Sequence, residues 1–129
     1  MIVLDTHVLV WWLTAAPGLS PAAKGAINKH RGQIVVSTIS VLEITTAVRR
    51  GRLQFTVPVE QWLADMRSIP ELHLEPVSAD IAALAGNLPE PMHGDSADRI
   101  IAATAGVLSA ALVTADERLR SNRSIKTIW

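Results

Sequence analysis

Residues 2–4 read Ile-Val-Leu, three apolar side chains in succession, and the run stops on an aspartate, Asp5. Successive side chains of a strand point to opposite faces, so an unbroken apolar run describes a strand covered on both sides. Such strands belong to parallel sheets, whose crossovers are usually helices. The rest of the chain supplies that alternation. Residues 6–13 turn from the first strand into a short helix, and Ser20-Pro21, an N-cap and a first-turn proline, opens another that runs to about residue 31, before Gly32. A second strand over 33–37 leads to a helix over 40–50 ended by Gly51, and an amphipathic helix over 59–67 follows Pro58. The link 52–57 carries no decisive pattern. A third strand over 72–76, a helix over 78–86, a loop over 88–94 marked by Pro89 and Pro91, and a helix over 95–106 come next. A fourth strand over 111–114, a short helix over 116–120 and a last strand over 125–128 complete the chain. The alternation predicts a three-layer α/β/α sandwich with a central, mainly parallel sheet, as one domain over residues 1–129.

In such sheets, sites form at the carboxyl ends of the strands. Asp5 directly follows the first strand, Asp116 lies just beyond the fourth, and Glu43 opens the helix after the second. Three acids therefore share one edge. Asp98 opens the helix leading into the fourth strand, and by that order stands at the other edge unless the preceding loop bends across. Carboxylates that converge repel one another, and burial adds desolvation, so they either take up protons or share a cation. Oxygen-only ligation without cysteine selects magnesium, calcium or manganese over zinc or copper, and magnesium keeps waters for substrate phosphates.

Each acid also has a purely structural reading. Ser40-Val41-Leu42-Glu43 fits a capping box, with Glu43 reaching back to Ser40, and Thr114-Ala115-Asp116-Glu117 fits another. Asp95 is a good N-cap with Asp98 three residues later. Asp5 has no such box, so a functional role is the stronger reading there. His7 and His93 are within sequence reach of the site, whereas His30 and His73 look incidental. The four tryptophans, Trp11, Trp12, Trp62 and Trp129, fit either base-stacking platforms or core and interface anchors.

Composition narrows the class. The chain has 129 residues, 49% of them hydrophobic, and no cysteine, which excludes a disulfide scaffold and a thiolate metal site. The first residues lack the basic stretch and small-residue cleavage site of a secretory signal, so a cytoplasmic location is expected. The uncharged stretch 100–115 is shorter than the roughly 20 residues of a membrane span and is broken at Gly106 and Ser109, so no membrane role is expected. Net charge is zero, from 12 basic and 12 acidic residues. If Asp5, Glu43, Asp95, Asp98 and Asp116 line one pocket, the remaining surface is net basic, with groups at 24–31, 49–52 and 118–126. Those groups fit either a phosphate track or solvated helix ends.

The segments Asp5-Thr6-His7, Ser40-Val41-Leu42-Glu43-Ile44, His93-Gly94-Asp95-Ser96-Ala97-Asp98-Arg99-Ile100-Ile101-Ala102 and Leu112-Val113-Thr114-Ala115-Asp116 together resemble the PIN-domain family, and more narrowly the VapC-type ribonuclease toxins of prokaryotic toxin–antitoxin pairs. The likeness spans the whole chain in order. Ser96 stands where similar segments often carry proline. The resemblance implies a Mg²⁺- or Mn²⁺-dependent endoribonuclease whose acidic ligands are Asp5, Glu43, Asp98 and Asp116, with Asp95 auxiliary, and it implies that Asp98 lies beside the other acids. Thr6, Ser37 and Thr114 are then expected to hold the ligands or bound waters, and Arg99 to pair with Asp95 or with a substrate phosphate. It further implies an RNA substrate, a homodimer and a cognate antitoxin lying in a groove beside the site. The helices around Trp11-Trp12 and residues 44–48 are candidates for that groove, the alternative being that the tryptophans pack only their own core.

Two other classes compete. An aspartate-nucleophile phosphatase needs a second aspartate two residues after the first, where this chain has His7, and a phosphoacceptor receiver needs paired acids after the first strand. The remaining competitor is a catalytically silent PIN-like module that binds protein or RNA.

Overall fold

The computed structural model describes residues 1–89 and 96–129. Five strands, β1 (Ile2–Leu4), β2 (Ile34–Ser37), β3 (Leu72–Glu75), β4 (Ala111–Val113) and β5 (Thr127–Ile128), form one sheet in which every neighbouring pair is parallel. The strand order is β3-β2-β1-β4-β5. Helices α1 (Thr6–Leu13) and α2 (Pro21–Lys29) join β1 to β2, and α3 (Ile39–Arg49) and α4 (Val59–Arg67) join β2 to β3. Helices α5 (Ala79–Asn87) and α6 (Ser96–Val107) precede β4, and α7 (Glu117–Arg120) precedes β5.

Alternation along the strands divides the core into two layers. Ile2, Leu4, Ile34, Val36 and Val113 face one side and pack with Val8 and Leu9 of α1, Ala23 and Ile27 of α2, Ile44 of α3 and Met66 of α4. Val3, Val35 and Leu112 face the other and pack with Ile101, Ala102 and Ala105 of α6 and Leu119 of α7. The central strands are thus apolar on both faces because both faces are covered, which makes this the expected three-layer α/β/α sandwich. Among the described residues no helix is long and apolar enough to cross a membrane.

Helix ends follow the local chemistry, with instructive departures. Ser20 Oγ accepts from the Ala23 amide at 3.1 Å and caps α2 as expected, and Ser78, expected to be the first residue of its helix, instead caps α5, its Oγ accepting from the Ile81 amide at 3.2 Å. Gly32 and Gly51, at φ +84° and +71°, take the left-handed conformation that turns the chain out of α2 and α3. The helix expected from residue 40 starts at Ile39, which puts Ser40 inside it as a fully buried side chain. The strand expected over 125–128 shortens to Thr127–Ile128, because Asn122 Oδ1 and backbone oxygen accept from the Ser124 and Ile125 amides and wind that stretch into a turn. The 52–57 link is irregular and is fastened by Phe55 stacked on Trp62, centroids 4.4 Å apart.

The order of the strands creates a switch point. The chain moves outward from β1 through β2 to β3, then returns to the other flank of β1 with β4 and β5. At such a point the crossovers leave in opposite directions and a crevice opens beyond the carboxyl ends of β1 and β4. Element order alone left Asp98 at the opposite edge, and the direction of α6 brings it to the carboxyl edge, as the family resemblance implies. A crossover helix runs antiparallel to the strands it connects, so the first turn of α6 lies over the carboxyl edge and its last turn feeds the amino end of β4. Truncating Leu112, fully buried in β4 between α6 and α7, should cost about 2–5 kcal/mol in Leu112→Ala as read by urea unfolding. A loss below about 1 kcal/mol would contradict the packing of this second layer.

Candidate active site

Asp5 occupies the end of the central strand and is only 4% exposed. Its Oδ1 accepts from the Thr6 amide at 2.8 Å, so Asp5 is the N-cap of α1, a role the sequence did not reveal. Its Oδ2 accepts from the Thr114 hydroxyl at 2.6 Å, across the β1–β4 junction. Burial pushes the Asp5 carboxyl above the ordinary carboxylate range, and the nearby Asp116 charge adds to that. The Thr114 hydroxyl, His7 and the Thr6 amide oppose the shift without cancelling it.

Two threonines extend the contacts. The Thr6 hydroxyl donates to Glu43 Oε1 at 2.5 Å, which uses its single proton. Ser40 Oγ, 2.8 Å from the same oxygen, must therefore be the donor to Thr6. The capping box between Ser40 and Glu43 is not formed: Ser40 lies within α3, and its hydroxyl and the Glu43 carboxylate both turn to Thr6. The second box, around Thr114, is also absent. Thr114 Oγ1 accepts from the Asp116 amide at 3.0 Å while donating to Asp5, and Asp116 caps α7 itself, its Oδ1 accepting from the Arg118 amide at 2.9 Å.

Arg118 closes the connection to the remaining acid. Its Nη2 lies 3.4 Å from Asp116 Oδ2 and 3.6 Å from Asp98 Oδ2, and those side chains are 24% and 18% exposed. Glu43, Thr6, Asp5, Thr114, Asp116, Arg118 and Asp98 thus form one continuous line of polar contacts over the carboxyl edge. Glu43 arrives from the layer that covers one face of the sheet and Asp98 from the layer that covers the other. The sequence missed Ser40 and Arg118 as members. Ser40 was masked by its resemblance to a cap, and Arg118 by its place in a run of exposed basic residues.

Other expected residues have varied places. The Ser37 hydroxyl is buried and accepts from the Ile39 amide at 3.1 Å, turning β2 into α3. The Arg99 guanidinium donates to the carbonyls of Ala85 and Leu88, joining the start of α6 to the end of α5. Asp95 and His93 lie outside the described residues. An open cavity of about 770 Å³ reaches the site at Thr6 and Glu43 and is lined also by His7, Trp11, Ala47 and Arg50. The tryptophan pair divides: Trp11 faces this cavity and Trp12 packs against the core.

Residues 2–124 match the family model of the PIN domain. The chain belongs to the PIN-domain family. It is 37% identical over 130 residues to Ribonuclease VapC22 of Mycobacterium tuberculosis, covering 99% of this chain and 98% of that one. Its fold is similar to VapBC2 from Rickettsia felis bound to a promoter DNA fragment, at TM-score 0.71 and 20% identity over 98% of this chain and 97% of that one. It is likewise similar to FitAcB from Neisseria gonorrhoeae, at TM-score 0.71 and 22% identity over 98% and 96%. Identities this low show a shared fold.

The donor set of this PIN domain is all oxygen and mostly anionic, which fits a hard divalent cation. Among the described residues no three acidic or histidine side chains stand together as a closed ligand set, and a guanidinium nitrogen lies against two of the four acids. The buried Asp5 charge, destabilised where it stands, adds a reason for a cation to bind.

A carboxyl whose folded pKa is raised costs folding stability at neutral pH, and that cost is relieved as pH falls through the folded pKa. Thr114→Val removes the donor that restrains the shift. It should therefore lower stability by about 1–3 kcal/mol at neutral pH and by less in acid, as read by denaturant unfolding across pH. A deficit that stays constant from pH 7 to pH 4 would mean that Thr114 does not act through the Asp5 charge.

Proposed function

We propose that this PIN domain is a Mg²⁺- or Mn²⁺-dependent endoribonuclease, the toxin of a type II toxin–antitoxin pair, with Asp5, Glu43, Asp98 and Asp116 as the residues that hold the metal. The observation that carries the reading is the unbroken line of contacts joining all four acids at the switch point, with a buried, destabilised carboxylate at its centre. The likeness to Ribonuclease VapC22 across almost the full length of both chains supports the activity, and the fold shared with VapBC and FitAB complexes supports an antitoxin partner.

Held by Asp5, Glu43, Asp98 and Asp116, a divalent cation would supply positive charge to offset the negative charge developing on the scissile phosphate and to lower the pKa of a bound water. The chain supplies position. Thr114 and the Thr6 amide fix both oxygens of Asp5, so that its lone pairs meet the crevice in one orientation. The Ser40-to-Thr6 hydrogen bond aims the Thr6 proton at Glu43 and so ties that carboxylate, on a different element, to Asp5. Arg50 and Arg52 at the mouth of the cavity give an RNA backbone a salt-sensitive track towards the acids. Asp95 is the auxiliary acid in this reading, a second copy of the chain is a further partner, and the antitoxin occupies the cavity that Trp11 lines.

Purified protein given total cellular RNA with Mg²⁺ or Mn²⁺ should produce discrete fragments, and EDTA or Asp5→Asn should reduce them to background. Thr6→Val, which touches only the support of the ligands, should lower the rate about 10–100-fold. Metal-dependent binding of RNA without cleavage by the wild type would replace the nuclease with the silent module. Mg²⁺ or Mn²⁺ should also raise the melting temperature, since a ligand selective for the folded state stabilises it, and Asp5→Asn should lose most of that rise. An equal rise in both proteins would place the ion elsewhere.

A further inference from the structure

Arg118 occupies a position that the acids by themselves do not explain. It lies on α7, two residues beyond Asp116, and its amide already holds Asp116 Oδ1. Its guanidinium then folds back so that one nitrogen, Nη2, meets Oδ2 of Asp116 at 3.4 Å and Oδ2 of Asp98 at 3.6 Å. These two carboxylates come from α6 and from the loop after β4, and a single cationic group stands against both.

We propose that Arg118 is the built-in counter-cation of the Asp98–Asp116 pair and competes with the divalent cation for it, so that metal enters only as the guanidinium leaves. The inference rests on the proposal that these acids hold Mg²⁺ or Mn²⁺. Two half-buried carboxylates brought together repel, and a shared positive charge relieves that repulsion. A metal ion held by these two carboxylates would stand close to the guanidinium, and two cations drawn to the same pair of acids repel each other, so the binding of one would weaken the hold on the other. The Arg118 side chain is 61% exposed and is carried by a four-residue helix, so water is at hand to solvate the guanidinium as it leaves. The metal-free protein is thereby spared an uncompensated acidic cluster, at the expense of affinity for the ion.

Calorimetric titration of Mn²⁺ into the wild type, Arg118→Gln, Arg118→Lys and Arg67→Gln tests this. Arg67 is an exposed cation in the last turn of α4, so its variant repeats the change in net charge away from the site. Arg118→Gln should bind Mn²⁺ roughly two- to fivefold tighter than the wild type, a factor in keeping with a partly exposed ion pair. Its melting temperature should be lower without metal and its metal-induced rise larger. Arg118→Lys and Arg67→Gln should stay near the wild-type affinity. Arg118→Met, which keeps the stem and removes the charge, repeats the measurement if the glutamine variant folds poorly. Wild-type binding with unchanged or weaker binding by both neutral variants would overturn the competition and leave the metal assignment standing. No binding by the wild type or by either neutral variant would overturn both.

Discussion

A carboxylate buried at the end of a central strand is the costly element on which this protein's architecture turns. Asp5 is buried at 4% exposure, which penalises its charge, and the Thr114 hydroxyl, nearby His7 and the Thr6 amide offset that penalty in part. Those donors are available because β4 lies beside β1 in parallel register, with Leu4 opposite Val113, so that the next residues of the two strands leave the sheet together. Sheet register and the protection of one charge are therefore the same fact seen at two scales. That protection is partial, so the carboxyl remains above the ordinary carboxylate range.

The two covering layers complete the arrangement. Helix α3 belongs mainly to the layer around Ile44 and Met66, and α6 to the layer around Ile101 and Ala105, yet both begin above the carboxyl edge. Crossover helices that run back against their strands start on that edge, so α1, α3 and α6 carry their first-turn side chains there. Acids at helix starts are favourable in any protein because they face the positive end of the dipole. Here the topology gathers such acids from opposite sides of the sheet over one crevice.

Much of the fold was legible in the sequence. The unbroken apolar runs around Val3, Val35 and Leu112 announced strands covered on both faces, and Ser20, Gly32 and Gly51 marked helix ends by chemistry that operates within a few residues. Readings failed where a short-range pattern had a longer-range competitor. Ser40 and Glu43 have the spacing of a capping box, but α3 starts one residue earlier and a threonine 34 residues before Ser40 takes its hydrogen bond. Thr114 and Glu117 have that spacing too, and Thr114 instead serves Asp5 across 109 residues of sequence. Element order alone left Asp98 at the far edge, only the family resemblance set it beside the other acids, and the direction of α6 supplies the physical reason.

By itself the sequence determined the alternation of strands and helices, the residues available for oxygen-only ligation and, through motifs in order along the whole chain, the family. These depend on side-chain pattern over short windows, where apolar period and capping chemistry act without reference to distant residues. Tertiary structure alone decided which acids share a contact, that Ser40 supports Thr6, that Arg99 binds the end of α5, and that Arg118 stands between two carboxylates. The physical reason is range. A hydrogen bond or ion pair is made within a few ångströms, and only strand order and helix direction determine which side chains, far apart along the chain, come within that distance.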